Sequence, residues 1–147
     1  MDRHPTFTRA ALGGFIGTIA MTAMMYVVAP MMGLHMDIAA MLGSMLGGSW
    51  ALGLMMHFVN GAIVFPAMYA YVVYARLPGS PVVRGTVWGV ALWLIAQTMV
   101  MPMMGAGLFS SEAGGVMAAM GSLVGHILYG SALGFIASAS APRVAHA

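Results

Sequence analysis

The chain has 147 residues, of which 61% are hydrophobic and only 5% charged, with a mean hydropathy of +0.94 and a formal net charge of +2. A water-soluble domain of this size cannot carry so apolar a composition. The chain has no cysteine, which excludes a disulfide framework and thiolate metal ligation. The composition therefore predicts an integral membrane protein.

Four apolar stretches follow one another along the chain, near residues 10–30, 50–74, 85–104 and 117–139. Each has about the 20 residues that a helix needs to cross the hydrocarbon core of a bilayer. The first follows a basic start, but no convincing small-x-small cleavage site comes after it, so we expect it to be retained. The sequence predicts an all-α fold, a four-transmembrane-helix bundle forming a single membrane domain over residues 1–147.

The motif Pro-Met-Met-Gly occurs twice, at residues 30–33 and 102–105, where the first and third apolar stretches end. Proline ends or kinks a helix, and the glycine three residues later permits a turn. We therefore predict two parallel two-helix repeats, at about 9–76 and 84–140, that meet at the turn "RLPGSP". Because each repeat contains two spans, both insert in the same direction, and a pseudo-twofold axis along the membrane normal should relate them.

The positive charges of the chain all fall at one end of the predicted bundle. The chain has no lysine, and its arginines stand before the first stretch, around the middle connection and after the last stretch: Arg3, Arg9, Arg76, Arg84 and Arg143. Positive residues that flank membrane helices stay in the cytoplasm, so we predict cytoplasmic N- and C-termini. The connections that carry Asp37 and Glu112 then face outward. We also expect Asp37 and Ser111 to cap the helices that follow them.

Two histidines lie inside apolar stretches, His57 in the second and His126 in the fourth, and each is followed four positions later by glycine. Residues four apart share one face of a helix, and a polar side chain in hydrocarbon should face the bundle interior and have a partner. We expect these two faces to pack against each other and the histidines to form a facing pair. The small residues that share the two faces are Gly53, Gly61, Ser122 and Gly130.

The depth of the two histidines follows from their distance to the arginines. His57 lies 19 residues before Arg76, and His126 lies 17 residues before Arg143. At 1.5 Å per helical residue, both are about 25–29 Å from the inner charges. The pair is therefore predicted in the outer part of the bilayer, at the level where the two Pro-Met-Met-Gly turns bring methionine sulfur within reach.

Three interpretations of this histidine pair stay open. In the first, His57 and His126 are the axial ligands of a haem b that transfers electrons, and Gly53, Gly61, Ser122 and Gly130 leave room for the macrocycle. In the second, the histidines bind copper as Cu(I), together with thioether sulfur. The methionines proposed for that metal site are Met31, Met32, Met103 and Met104. In the third, no cofactor is bound, and the histidines form hydrogen bonds that fix the bundle.

Other functions find little support in the sequence. The acidic residues are Asp2, Asp37 and Glu112, and we find no paired carboxylates, phosphate loop or nucleophile-and-base set, so we expect no enzymatic activity. We read the positive charge as a topology signal and expect no nucleic-acid partner. A small bundle rich in glycine should contact membrane lipid and either self-associate as a homo-oligomer or join a larger membrane complex. A cofactor-free accessory or scaffolding subunit is thus the alternative to a redox role.

The combination of several motifs resembles a family of small bacterial integral membrane proteins of uncharacterised function. The motifs are the Pro-Met-Met-Gly turns, "DIAAMLGSMLGGSWALGLMMHFVNGAIVFPAMYAY", the Arg-flanked Leu-Pro-Gly turn and "GSLVGHILYG". The resemblance covers nearly the whole chain and implies a multi-pass protein of the bacterial inner membrane. It implies no activity and selects no cofactor.

Overall fold

The computed structural model describes residues 4–138, and every regular element in that range is a helix. Four helices are long and apolar enough to cross a membrane: α1 (Phe7–Met31), α3 (Trp50–Arg76), α4 (Pro81–Met103) and α5 (Gly115–Ser138). A short helix, α2 (Ile38–Ser44), lies between α1 and α3. The predicted all-α bundle of four membrane helices is confirmed. Arg3, Arg143 and the last residues of the second predicted repeat lie outside the described residues.

The two ends of the bundle differ in their connections. We call the end that carries the α3–α4 connection the inner end, and the end that carries the other two connections the outer end. The start of α1 lies at the inner end, where the rings of Phe7 and Tyr71 stack with their centroids 6.3 Å apart. Arg9, Arg76 and Arg84 therefore share one end of the bundle.

Pro66 lies inside α3 without ending it, whereas Pro30 and Pro102 lie one residue before the ends of α1 and α4. Pro30, Pro66 and Pro102 each follow a π-helical turn, and these turns are Met24–Val28, Asn60–Val64 and Ala96–Val100. A proline has no N–H, and its ring clashes with the carbonyl four residues earlier, a strain that a wider π-helical turn relieves. The α1 and α4 helices end just after their prolines, and Gly33 and Gly105 then turn the chain with φ values of 75° and 77°.

The caps predicted after the two outer turns differ in outcome. The Asp37 side chain accepts a hydrogen bond from the Ala40 N–H at 2.9 Å and caps α2, as predicted. The Ser111 prediction is wrong, because α5 begins at Gly115 and Ser111 only follows a single 3-10 turn, Leu108–Ser110. The glycines at 114 and 115 have φ values of 92° and 61°, so left-handed backbone separates Ser111 from the helix.

Glycine lets α5 pack against both α4 and α1. A Cβ added to Gly85 of α4 would overlap the carbonyl oxygen of Gly130 in α5, and a Cβ on Gly130 would overlap that of Gly85. On the other side, a Cβ on Gly17 of α1 would lie 2.8 Å from the carbonyl oxygen of Tyr129. Such backbone contacts are available only to small residues, and they are a main source of association between membrane helices.

The expected direct packing of α3 against α5 through their small residues is wrong. Gly53 of α3 packs against the backbone of α2 at Ala39, and Gly61 packs against Thr18 of α1. In α5, Gly130 packs against Gly85 of α4. The small residues of α3 and α5 therefore pack against different helices. Among the described residues, a single hydrogen bond joins α3 to α5 directly, from the Tyr129 hydroxyl to the Gly61 carbonyl oxygen at 2.8 Å.

The buried core lies toward the inner end. Its largest members are aromatic and leucine side chains from α3, α4 and α5: Tyr69, Tyr74, Trp88, Leu92, Tyr129 and Leu133. The Tyr69 hydroxyl donates to the Pro81 carbonyl oxygen at 3.2 Å, and the Arg84 guanidinium lies 4.6 Å from the centroid of the Tyr74 ring. These contacts hold the inner ends of α3 and α4 together.

We predict that Gly130→Ala lowers the free energy of unfolding by about 1–3 kcal/mol, because the added methyl group meets backbone and forces α4 away from α5. The matched control is Gly121→Ala on the same helix, where a Cβ meets only the end of the Leu34 side chain at 3.3 Å. We expect the control to stay within about 0.5 kcal/mol of the wild type. Reversible unfolding in mixed detergent measures both variants, and equal losses would contradict this packing.

Candidate functional site

A cavity of about 550 Å³ occupies the outer half of the bundle. All four membrane helices line it, and the connection from Leu34 to Leu42, which includes part of α2, covers its outer side. His57 of α3 and His126 of α5 both belong to the cavity wall. The fold thus brings the two histidines to one space without direct packing of the helices that carry them.

His126 has a defined proton position. Its Nδ1 lies 2.8 Å from the carbonyl oxygen of Ser122, one turn earlier in α5, and 3.4 Å from the Ser122 hydroxyl. A carbonyl oxygen only accepts, so Nδ1 carries the proton and donates it. In a neutral imidazole the other nitrogen is then an acceptor, which leaves Nε2 of His126 with a lone pair.

His57 has the opposite arrangement. Its Nε2 lies 3.1 Å from the Thr22 hydroxyl of α1, and that hydroxyl also lies 2.7 Å from the Thr18 carbonyl oxygen. The hydroxyl has one proton and donates it to the carbonyl oxygen, which can only accept. The His57 Nε2 must therefore be the donor to Thr22. In the neutral ring Nδ1 is then the acceptor, and among the described residues no hydrogen bond joins the two imidazoles.

The small residues predicted beside the histidines separate into two groups. Gly61 and Ser122 line the cavity, as a cofactor site would require. Gly53 and Gly130 lie outside the cavity wall, packed on α2 and α4, so they make no room for a macrocycle.

The methionines predicted for a metal site are mostly not at the cavity. Of these four, Met32 lines it, whereas Met31, Met103 and Met104 lie outside its wall, and the first two of these are 83% and 69% exposed. Met31 and Met103 are the last residues of α1 and α4, and their side chains are exposed at the helix ends. Nine methionines form much of the wall, and Met32 is the one among them that was predicted from the sequence. They are Met21, Met24, Met25, Met32, Met36, Met68, Met101, Met117 and Met120.

A hydrogen-bonded cluster around Asp37 fixes the cover of the cavity. The Asp37 carboxylate accepts hydrogen bonds from the Tyr26 hydroxyl of α1, from the Ala40 N–H and from the Trp50 indole N–H, the last at 3.0 Å. Burial alone would raise the pKa of the Asp37 carboxyl, but these hydrogen bonds outweigh it and hold the pKa below its usual value. One carboxylate thus ties α1, α2 and the start of α3 together.

Sequence reasoning missed two of these contacts. The partner of His57 is Thr22, four residues after Thr18 on α1, and the i, i+4 spacing of the two threonines was the available signal. The role of Asp37 beyond capping required knowing that Tyr26 and Trp50 meet at the outer end. Within residues 4–138, no three or more His, Asp or Glu side chains are grouped to hold a metal ion.

These observations define a polytopic membrane protein with an intramembrane cavity. The model of DUF6789, a family of unknown function, matches residues 5–147, and the chain belongs to this family. No curated protein and no solved structure gives a significant match to the chain.

We predict that Tyr129→Phe lowers the free energy of unfolding by about 1 kcal/mol, because it leaves the buried Gly61 carbonyl oxygen without its donor. Tyr71→Phe is the matched control, since Tyr71 is 73% exposed and its change removes only a surface hydroxyl. Unfolding in mixed detergent should separate the two variants. The interpretation is contradicted if both lose the same stability.

We also predict that the Asp37 cluster makes stability depend on acid. A carboxyl whose pKa is lowered by folding stabilises the fold above its ordinary pKa of about 4, and this stabilisation is lost as the pH falls through the folded value. Asp37→Ala should lower the free energy of unfolding by about 1 kcal/mol at neutral pH and remove this part of the pH dependence. Glu112→Gln, at the other outer connection, is the control. A pH titration of the unfolding temperature measures all three proteins, and an unchanged acid dependence in Asp37→Ala would contradict the assignment.

Proposed function

We propose that the protein is a non-catalytic membrane protein that holds one small molecule at a paired-histidine site in the outer part of the bilayer. One observation carries the proposal: His57 and His126, from different membrane helices, line a single cavity of about 550 Å³. Sites for small molecules and cofactors occupy roughly 300–1,000 Å³ and combine apolar walls with a few polar groups. Polar side chains deep in a membrane helix are costly, which favours a functional role for the pair.

Haem b with a role in electron transfer is one ligand that the site could hold. In its favour, His126 donates from Nδ1 to a backbone carbonyl, the contact that typically orients a metal-ligating histidine, and its Nε2 retains a lone pair. His57 would have to ligate through Nδ1 or exchange its bond to Thr22 for the iron. The hydrogen bonds therefore support His126 as a residue that would hold haem more directly than they support His57.

Copper as Cu(I) is the second cofactor that a specific observation favours. Thioether sulfur and imidazole are ligands that this soft ion accepts, and nine methionines share the cavity wall with the two histidines. Met32 remains from the methionines predicted by sequence. The others would be replaced by methionines of α1 and α5, such as Met21 and Met120.

We also propose that the chain consists of two helical-hairpin repeats and that both of its termini are cytoplasmic. The repeat is supported by Pro30 and Pro102, each of which follows a π-helical turn, and by the matching positive φ of Gly33 and Gly105. The second helices of the hairpins differ, because α3 contains π-helical turns and α5 is α-helical throughout. The shared inner position of the described arginines supports cytoplasmic termini in a bacterial inner membrane.

We further propose that the protein works within a larger assembly, as a homo-oligomer or as an accessory subunit of a membrane complex. Large apolar side chains are exposed on every membrane helix, for example Phe15, Met55, Met99 and Phe135. Lipid covers such faces in a monomer, and helices of another subunit can cover them in a complex. Without a bound ligand, this accessory role would be the whole function.

The test is an analysis of the protein purified in mild detergent by absorption spectroscopy, metal analysis and native mass spectrometry. We expect one bound molecule per chain in the wild type and in His35→Ala, whose histidine is exposed outside the cavity wall, and at least a tenfold lower occupancy in His57→Ala and His126→Ala. A reduced-minus-oxidised haem band identifies haem, and stoichiometric copper without that band identifies a copper site. A protein that carries no ligand and takes up none of haem, Cu(I) or an added apolar molecule would contradict the proposal.

A further inference from the structure

The cavity has one side that helix packing does not close. Within residues 4–138, the main approach of α3 to α4 is near their inner ends, between Tyr69–Val73 and α4, where the Tyr69 hydroxyl bonds the Pro81 carbonyl oxygen. Farther out, Met68 of α3 and Ile95 of α4 both line the cavity and are 41% and 44% exposed. By contrast, α1 and α4 both pack closely on α5 through glycine. The cavity therefore faces the hydrocarbon of the membrane between α3 and α4.

The polar groups of the wall are few, and most of their protons are already used. Thr18 donates its hydroxyl proton to the Gly14 carbonyl oxygen, and Tyr129 donates to that of Gly61. The imidazoles donate to Thr22 and to the Ser122 carbonyl oxygen, so what each retains is an acceptor nitrogen, Nδ1 of His57 and Nε2 of His126. Asn60 adds an amide and Ser122 adds a hydroxyl, and each of these groups can both donate and accept. The two imidazole nitrogens can thus only accept a hydrogen bond from a ligand.

This inventory selects a chemical class of ligand. A molecule with a charged head would lose its hydration on entering hydrocarbon, and no described Asp, Glu, Lys or Arg side chain lines the cavity to compensate. The same cost counts against the propionates of haem. A ketone, quinone or ether only accepts hydrogen bonds and would leave both imidazole nitrogens unmatched. A hydroxyl donates one proton to an imidazole and can accept from the Asn60 amide.

We propose that the cavity binds a lipid-soluble alcohol or phenol that enters from the membrane between α3 and α4, with His57 and His126 as acceptors for its hydroxyl protons. The inference rests on the proposed ligand-binding function and names the class of its ligand. A hydroquinone, which has two hydroxyl groups, carries a donor for each histidine, whereas a monohydroxy lipid carries a donor for one of them.

The first experiment compares two probes that differ in one proton. The full chain in nanodiscs is titrated with para-decylphenol and with para-decylanisole, whose methyl ether cannot donate, and binding is followed by native mass spectrometry. We expect the phenol to bind about tenfold more tightly, the effect of one well-formed hydrogen bond. Equal affinities would overturn the hydroxyl assignment but leave ligand binding intact, whereas binding of neither probe would overturn the assignment and count against the proposed function.

Histidine variants locate the effect. His57→Phe and His126→Phe keep a ring of similar size but remove the acceptor, so at least one of them should lower phenol affinity to that of the anisole without changing anisole binding. His35→Phe, the same change at an exposed position outside the cavity wall, should leave both affinities unchanged. Gly121→Leu adds a side chain to the wall and should weaken both probes, which provides a folded variant if a histidine variant fails to fold. Phenol preference that survives in both histidine variants would overturn the assignment.

The entry route is tested with thiol bridges, for which the absence of native cysteine is an advantage. Met68→Cys with Ile95→Cys places one thiol on each side of the opening, and a flexible bismaleimide can join them. We expect bridging of the empty protein to slow phenol binding at least tenfold. The control pair is Val59→Cys with Ile63→Cys, two exposed positions one turn apart on α3, where a bridge crosses no opening. An unchanged binding rate after complete bridging of the first pair would overturn lateral entry.

Discussion

The structure depends on close contact between the backbones of membrane helices at glycine. In hydrocarbon there is little hydrophobic force between helices, so association relies on van der Waals packing and a few hydrogen bonds. Here α4 packs on α5 through Gly85 and Gly130, and α1 packs on α5 through Gly17. These contacts make α5 the central helix of the bundle. Gly85 of α4 is thus used against α5, and Gly61 of α3 is used against Thr18 of α1, so neither glycine brings α3 and α4 together.

The uneven packing divides the bundle into two halves with different physical properties. Toward the inner end, tyrosine and tryptophan side chains fill the interior, and Tyr69 is fully buried. Toward the outer end the same helices surround a cavity, which is covered by the connection that Asp37 ties to Tyr26 and Trp50. The histidines belong to the outer half. Each uses one ring nitrogen to bond the protein, which fixes the imidazole and leaves the other nitrogen as an acceptor.

Much of this fold could be predicted from the sequence, because the membrane helices and their turns depend on local residue patterns. Apolar length predicts the membrane helices, and the spacing of Pro30 and Gly33 predicts the outer turn. The pairing of the helices could not be predicted in the same way. Gly53 and Gly61 lie on the same helix and have the same side chain, but Gly53 packs on α2 and Gly61 lines the cavity, because the arrangement of the whole bundle decides their neighbours. Tyr69 illustrates the same limit: it lies near the inner end of an apolar stretch, and nothing in the local pattern shows that the bundle buries it completely. His57 and His126 line one cavity, and the function of this histidine pair stays a prediction.

The most direct test of the proposed histidine site is a solid-state NMR spectrum of the protein in bilayers with nitrogen-15-labelled histidine. The chain has five histidines, and His57→Phe and His126→Phe assign the two resonances of interest. We predict two neutral rings with opposite tautomers, with the proton on Nε2 in His57 and on Nδ1 in His126. Addition of para-decylphenol should shift at least one unprotonated nitrogen. Two charged rings, or two rings with the same tautomer, would contradict the proposed site.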